Sequence, residues 1–195
     1  MIDLSIGSAT LYYWPHFLSP KMADLYFEKF KQEILWRSEK VTVFGKVYDQ
    51  PRLTALYSDC PRSYSYSGLK LDSQAFYPEL TALKEKLEKK VDHRFNSCLF
   101  NLYRDENDSN GWHADDEKEL GELPVIASLS LGESRLFHLK HKTDKTLKRS
   151  IALEHGSLLL MAGKTQKEFK HQLPKTKMPK TARINLTFRY IFEAL

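Results

Sequence analysis

Six short segments follow one another between Cys98 and Phe192: "CLFNLYR", "VIASLSL", "SRLFHLK", "RSIALE", "SLLLMAG" and "ARINLTFRYIF". Gly, Pro, Asn or Lys-rich turns separate them, and none carries helical spacing. Such a half-chain can hide its apolar faces only by pairing strands, which points to an antiparallel sandwich or barrel. The preceding half reads differently. In "FLSPKMADLYFEKFKQEILW", Ser19 can cap a helix and Pro20 suits its first position. Met22, Tyr26, Phe30 and Ile34 then recur every four residues. A second helix, "PELTALKEKLEKKV", offers Leu80, Leu83, Leu87 and Val91 as its buried stripe. The stretch between, "VTVFGKVYDQPRLTALYSD", is β-branched and aromatic and breaks at Gly45, the pattern of a hairpin or edge strands. The expected architecture is α+β, one domain over residues 1–195, with a β core at 96–191 and a lid at 40–70.

The 195 residues are enough to bury a sizeable core. No apolar run reaches roughly 18 residues, so no membrane partner is expected. The N-terminal stretch lacks the basic and apolar regions of a signal peptide, and Cys60 and Cys98 make no disulfide framework. A reducing compartment follows: cytoplasm, or nucleus in a eukaryotic cell. Lys and Arg number 30 against 25 Asp and Glu, a net charge of +5 that favours anionic partners such as nucleic acid.

Chemistry concentrates in "SNGWHADDE", residues 109–117. His113 and Asp115 are two apart, and in extended backbone such side chains point the same way. Both can then reach one metal ion. With a second histidine and open positions, they would form the two-His, one-carboxylate triad of non-haem Fe(II) oxygenases. Spacing favours none of His16, His93, His138, His141, His155 and His171 as that third ligand, and an H-x-D is common in solvated loops. The last segment carries more. In "ARINLTFRY", Arg183, Asn185, Thr187 and Arg189 share one strand face, and Ile184, Leu186, Phe188 and Tyr190 share the other. Asn101 and Tyr103 of "NLY" likewise share a face. A dicarboxylate could be gripped there, because guanidinium pairs bidentately with carboxylate.

Taken in order, "NLY", "HADDE", "KHQLP" and "ARINLTFR" resemble the AlkB family of Fe(II)/2-oxoglutarate dioxygenases, which repair alkylated nucleic acids on a double-stranded β-helix (jelly-roll) core. "VFGK", "SYSYSGL" and "LPVIASLSLG" are most similar to its duplex-DNA repair branch, so the resemblance covers most of residues 40–191. It implies His113, Asp115 and His171 as Fe(II) ligands. It implies Asn101, Tyr103, Arg183, Asn185, Thr187 and Arg189 as the 2-oxoglutarate site, without saying which arginine takes which end.

The resemblance also implies the reaction: oxidative demethylation of 1-methyladenine and 3-methylcytosine in DNA, with formaldehyde released and 2-oxoglutarate and O2 converted to succinate and CO2. These bases are cationic, and Asp116, helped by Glu117, would meet them. A base inside a duplex must be flipped out. Phe44, followed by Gly45, would fill the gap as an apolar wedge. Tyr64, Ser65 and Tyr66 would wall the lesion pocket, and Lys46 and Arg52 would meet phosphates, as would Lys140, Lys142 and Arg149. The expected partner is alkylated DNA, double-stranded, bound by a monomer. Single-stranded DNA, methylated RNA, a protein side chain, or a non-catalytic binding role on the same fold are the alternatives.

Overall fold

The computed structural model describes residues 1–43, 46–60, 63–66 and 69–192. Its strands are β1 (Ile2–Asp3), β2 (Ala9–Trp14), β3 (Lys40–Val43), β4 (Lys46–Asp49), β5 (Leu53–Ser58), β6 (Ser63–Tyr66), β7 (Leu69–Asp72), β8 (Gln74–Ala75), β9 (Ser97–Tyr103), β10 (Asn110–His113), β11 (Ile126–Gly132), β12 (Arg135–His141), β13 (Lys148–Leu153), β14 (Leu158–Gly163), β15 (Phe169–Leu173) and β16 (Arg183–Arg189). Its helices are α1 (Pro20–Glu33), α2 (Pro78–Val91) and the single turn α3 (Thr165–Glu168).

An eight-stranded major sheet runs β1-β2-β14-β11-β16-β9-β5-β8, and a four-stranded minor sheet runs β10-β15-β12-β13. Both are antiparallel apart from the short β5–β8 pairing, and they enclose the interior of a double-stranded β-helix. The helices cover the outer face of the major sheet. There Phe30, Leu80, Leu83 and Leu87 bury fully against Phe100, Leu129, Ile184, Leu186 and Phe188. Burying aliphatic and aromatic side chains at ~1.5–3 kcal/mol each makes this the main stabilising layer. A second apolar cluster, with Leu11, Ile126, Phe137, Leu139, Ile151 and Phe169, fills part of the space between the sheets.

Gly132, at the end of β11 and paired with Arg183, has φ of +82°, and a Cβ there would lie 2.4 Å from the Ala182 carbonyl oxygen. Only glycine permits that turn and that approach together.

The six expected strands are present nearly as read. Four features differ. Leu53–Ser58 is no part of a lid: β5 pairs along its whole length with β9 inside the major sheet. The 40–70 stretch is therefore two hairpins, β3–β4 and β6–β7, flanking a core strand. The β core begins well before residue 96, since β2 pairs with β14. On α1 the Ser19 cap holds, its Oγ accepting from the Met22 amide, but Met22 is 36 % exposed and the buried pair is Ala23 and Phe30. A four-residue repeat drifts about 40° per step around a 3.6-residue helix, so the seven-residue spacing keeps the contact face.

Candidate metal centre and anion pocket

β10 and β15 are neighbours, and His113 pairs directly with His171 across them. His171 lies within β15. A cross-strand pair places both rings on one face, here 4.2 Å apart between centroids. Asp115 follows β10 by two residues, and its Oδ1 lies 3.8 Å from His113 Nε2. One ligand atom from each of His113, Asp115 and His171 falls within 4.8 Å of the others. The resemblance to iron ligands is thus matched by convergence in space.

The protonation states suit a metal. His113 Nδ1 donates to the Gly111 carbonyl oxygen at 2.7 Å, which makes Nε2 the lone-pair nitrogen that a metal would take; here it accepts from Asn110 Nδ2 at 3.2 Å. Burial holds the His113 pKa below the ordinary imidazole value. Burial and the neighbouring His113 bring His171 down to about 3, so it stays neutral at pH 7. Burial alone would raise Asp115, but the Arg189 guanidinium and the two imidazoles outweigh it and set its pKa at about 2. Arg189 donates to Asp115 Oδ2 through Nη2 at 2.7 Å and Nε at 3.2 Å. Asp115 Oδ1 and His171 Nδ1 are buried and have no hydrogen-bond partner. Unsatisfied buried acceptors of this kind are costly, and a divalent cation such as Fe(II) fits them.

Beside this cluster, β9, β11 and β16 line a narrow cavity with Asn101, Tyr103, Ser128, Arg183, Asn185, Thr187 and Arg189. Register sets the group: Tyr103 pairs with Arg183 and Asn101 with Asn185. Arg183 is 2 % exposed. Its Nη2 donates to Ser130 Oγ at 2.9 Å, its guanidinium sits 5.3 Å from the Tyr103 ring centroid, and its Nε has no partner. No carboxylate pairs with it among the described residues, and burial pulls its pKa below the ordinary guanidinium value. A buried, unpaired cation beside a three-ligand metal cluster is chemically incomplete without an anion. Asn185 is held by Ser128 Oγ and the Leu129 carbonyl, and Thr187 donates to Asn185 Oδ1.

The acidic pair separates. Asp116 is exposed and takes an ion pair from Lys142 at 3.0 Å. Glu117 is half-buried, its Oε2 has no partner, and burial and Asp115 raise its pKa. Of the two, Glu117 is the one whose carboxyl is partly buried beside the cluster. Arg52 differs from expectation. It is 6 % exposed, and its Nε donates to Asn101 Oδ1 at 2.8 Å, so it faces the cavity wall and not a phosphate. Lys46 lies on β4, and Tyr64, Ser65 and Tyr66 on β6, by backbone position. Phe44 and Gly45 lie outside the described residues.

Gln166 joins the site from outside these motifs. It is fully buried on α3 and accepts from the Asp115 amide at 3.1 Å. Nothing in "KTQKE" signals that role. Ser128 and Ser130 could have been found, because "SLSL" in β11 alternates as β16 does.

Comparison with known proteins agrees with this geometry. The family model for the 2OG-Fe(II) oxygenase superfamily matches residues 10–189. The chain is 41% identical to alpha-ketoglutarate-dependent dioxygenase alkB homolog 3 of Bos taurus, over 91% of this chain and 65% of that protein. It is 39% identical to the Homo sapiens homolog 3, over 95% and 68%, and 37% identical to the DNA oxidative demethylase ALKBH2 of Arabidopsis thaliana, over 97% and 68%. The chain thus spans about two thirds of the length of these relatives. The solved structure of OsALKBH1 superposes with a TM-score of 0.63 at 16% identity, over 96% of this chain and 100% of that one, a likeness of fold.

Proposed function

The chain belongs to the AlkB family within the 2OG-Fe(II) oxygenase superfamily, and from that premise we propose that it oxidatively demethylates N-alkylated bases in DNA, 1-methyladenine and 3-methylcytosine among them. The observation that carries this reading is the three-ligand cluster set against a buried arginine with no carboxylate partner. His113, Asp115 and His171 would hold Fe(II). Arg183, with Asn101, Tyr103, Asn185 and Thr187, would bind 2-oxoglutarate. When bound, the metal and co-substrate supply the oxidising chemistry that uses O2 and yields succinate, CO2 and, from the methyl group, formaldehyde.

The chain's own residues do the rest. Arg189 is committed to Asp115 Oδ2, which keeps that carboxylate ionised and turned. The arginine that remains for a carboxylate is therefore Arg183. Asp116 and Glu117 put two carboxyls beside the cluster, Glu117 with its buried Oε2 unpartnered, where a cationic methylated base is favoured electrostatically.

A basic outer face supports a polyanionic substrate. On the minor sheet Lys140 pairs directly with Lys148 on one side and Lys170 on the other. Like charges opposite one another destabilise a sheet, and none of the three lysines forms an ion pair among the described residues. Lys140 Nζ also lies 4.0 Å from the centroid of the exposed Trp112 ring. We place the protein where its substrate is, in the cytoplasm or a eukaryotic nucleus, acting as a monomer.

The test is formaldehyde release from one methylated base presented in duplex DNA, single-stranded DNA, RNA and free nucleoside. Release from DNA is expected, with duplex supporting turnover. Release from RNA alone would replace the DNA assignment, and none from any substrate, with no succinate formed, would leave only a binding role. A Phe44→Ala variant should lose more activity on duplex than on single strands.

A further inference from the structure

Arg52 is a buried guanidinium that the site just described does not use. It precedes β5, the strand whose Thr54 pairs with Asn101 of β9. Its Nε–H donates to Asn101 Oδ1 at 2.8 Å, and Nη1 reaches the Ser109 carbonyl at 3.4 Å, in the segment that leads to the metal ligands. At 6 % exposure it offers little to a DNA backbone.

We propose that Arg52 is a positioning residue of the co-substrate pocket: it fixes the Asn101 amide for anion binding and adds positive charge to the pocket. The chemistry of the donor decides the amide's orientation. A guanidinium has five donors and no acceptor, so Asn101 must present Oδ1 to Arg52. Nδ2, the donating end, is left for the cavity, and it makes no hydrogen bond among the described residues. Without Arg52 the amide could flip, and an oxygen would then face a carboxylate. The charge balance points the same way. Arg52 and Arg183 both flank the pocket, and neither pairs with a carboxylate among the described residues. A dianion such as 2-oxoglutarate neutralises that excess.

The inference rests on the 2-oxoglutarate reading above, and the experiment separates the two. Wild type, Arg52→Lys and Arg52→Gln, loaded with redox-inert Mn(II) and kept free of O2, are titrated with 2-oxoglutarate by calorimetry. Binding of a methylated oligonucleotide is measured separately across a salt series. Both variants should bind 2-oxoglutarate about tenfold or more weakly, the scale of a hydrogen bond to a charged group. Oligonucleotide affinity and its salt slope should stay within twofold. In an Asn101→Ala background Arg52→Lys should cause much less further loss, because its partner is gone.

A wild-type protein that does not bind 2-oxoglutarate would overturn the underlying function. A wild type that binds and an Arg52→Lys that binds equally well would overturn the positioning role alone. Weakened oligonucleotide binding with a shallower salt slope, at unchanged 2-oxoglutarate affinity, would restore Arg52 as a phosphate contact. Circular dichroism melts check folding. Should one of the two variants not fold, the other carries the test alone.

Discussion

The two faces of the last strand are buried alike and built from opposite chemistry. On β16, Ile184, Leu186 and Phe188 are each 0% exposed and meet the helices. Arg183, Asn185, Thr187 and Arg189 are 2%, 8%, 7% and 4% exposed and meet the cavity. The outer face gains stability from each apolar group removed from water. The inner face gains little, because it contains or adjoins Asp115 Oδ1, His171 Nδ1 and Arg183 Nε, all buried and unpartnered. Burial with satisfaction makes a core, and burial without it makes a receptor. The major sheet assigns one role to each face.

The sharpest way to break this comparison is to remove inner-face ligands and watch stability and function part company. His171→Ala should reduce formaldehyde release to background and abolish Fe(II) binding, while the metal-free melting temperature holds. Asp115→Ala should lose activity equally but also melt lower, because the buried Arg189–Asp115 salt bridge is broken. Full activity in either variant, assayed as pure protein, would sink the metal assignment. The reciprocal experiment is on the outer face. Phe100 packs edge-on against Phe30, Trp36 and Tyr57, so Phe100→Ala should cost about 3–5 kcal/mol by denaturant unfolding. Its Fe(II) affinity below the unfolding transition should be unchanged.

A subtler test uses one inner-face residue whose removal helps the empty protein. Arg183→Met deletes a buried cation that has no carboxylate partner and keeps a similar apolar volume. Metal-free protein should melt at the same temperature or higher, whereas 2-oxoglutarate affinity should fall about tenfold or more. A lower melting temperature with unchanged affinity would make Arg183 a structural residue.

These contrasts also explain what could be read from the chain. Period-2 alternation is a local signal, so β16 and its two chemistries were legible in "ARINLTFR". Pairing is not local. Nothing in the spacing of His113 and His171 says that β10 and β15 are neighbours, and resemblance alone picked His171 from the other histidines. The apolar run of β5 looks the same in sequence at a lid edge or in a core, and only its pairing with β9 decides. Resemblance names Asp116, with Glu117 beside it, but not how each carboxyl is buried. Which carboxyl meets solvent and Lys142 depends on how the chain turns after β10.

The smallest expected effect tests whether a satisfied buried carboxylate differs from an unsatisfied one. Asp108, 3 % exposed, resembles Asp115 in being buried beside an arginine. Here, however, both oxygens are engaged: Oδ1 accepts from Arg104 Nη2, and Oδ2 from Arg104 N and Nε. Burial alone would raise its pKa, but the Arg104 hydrogen bonds and charge outweigh it, and the pKa lies below the ordinary 3.8. A depressed folded pKa means that the unfolded chain takes up the proton first as pH falls. The stabilisation is therefore complete above the ordinary carboxylate value and is lost as pH drops below it through the folded one. Because Arg104 is 53% exposed, solvent screens the pair, and its charge contributes at most about 1 kcal/mol. Asp108→Asn should therefore be slightly less stable than wild type at neutral pH, with the difference closing in acid below that value. Activity should stay unchanged at neutral pH. A difference that stayed constant with pH would mean that the geometry of the turn matters and its charge does not. A loss of 2-oxoglutarate affinity would place Asp108 with the receptor and blur the line between the two kinds of burial.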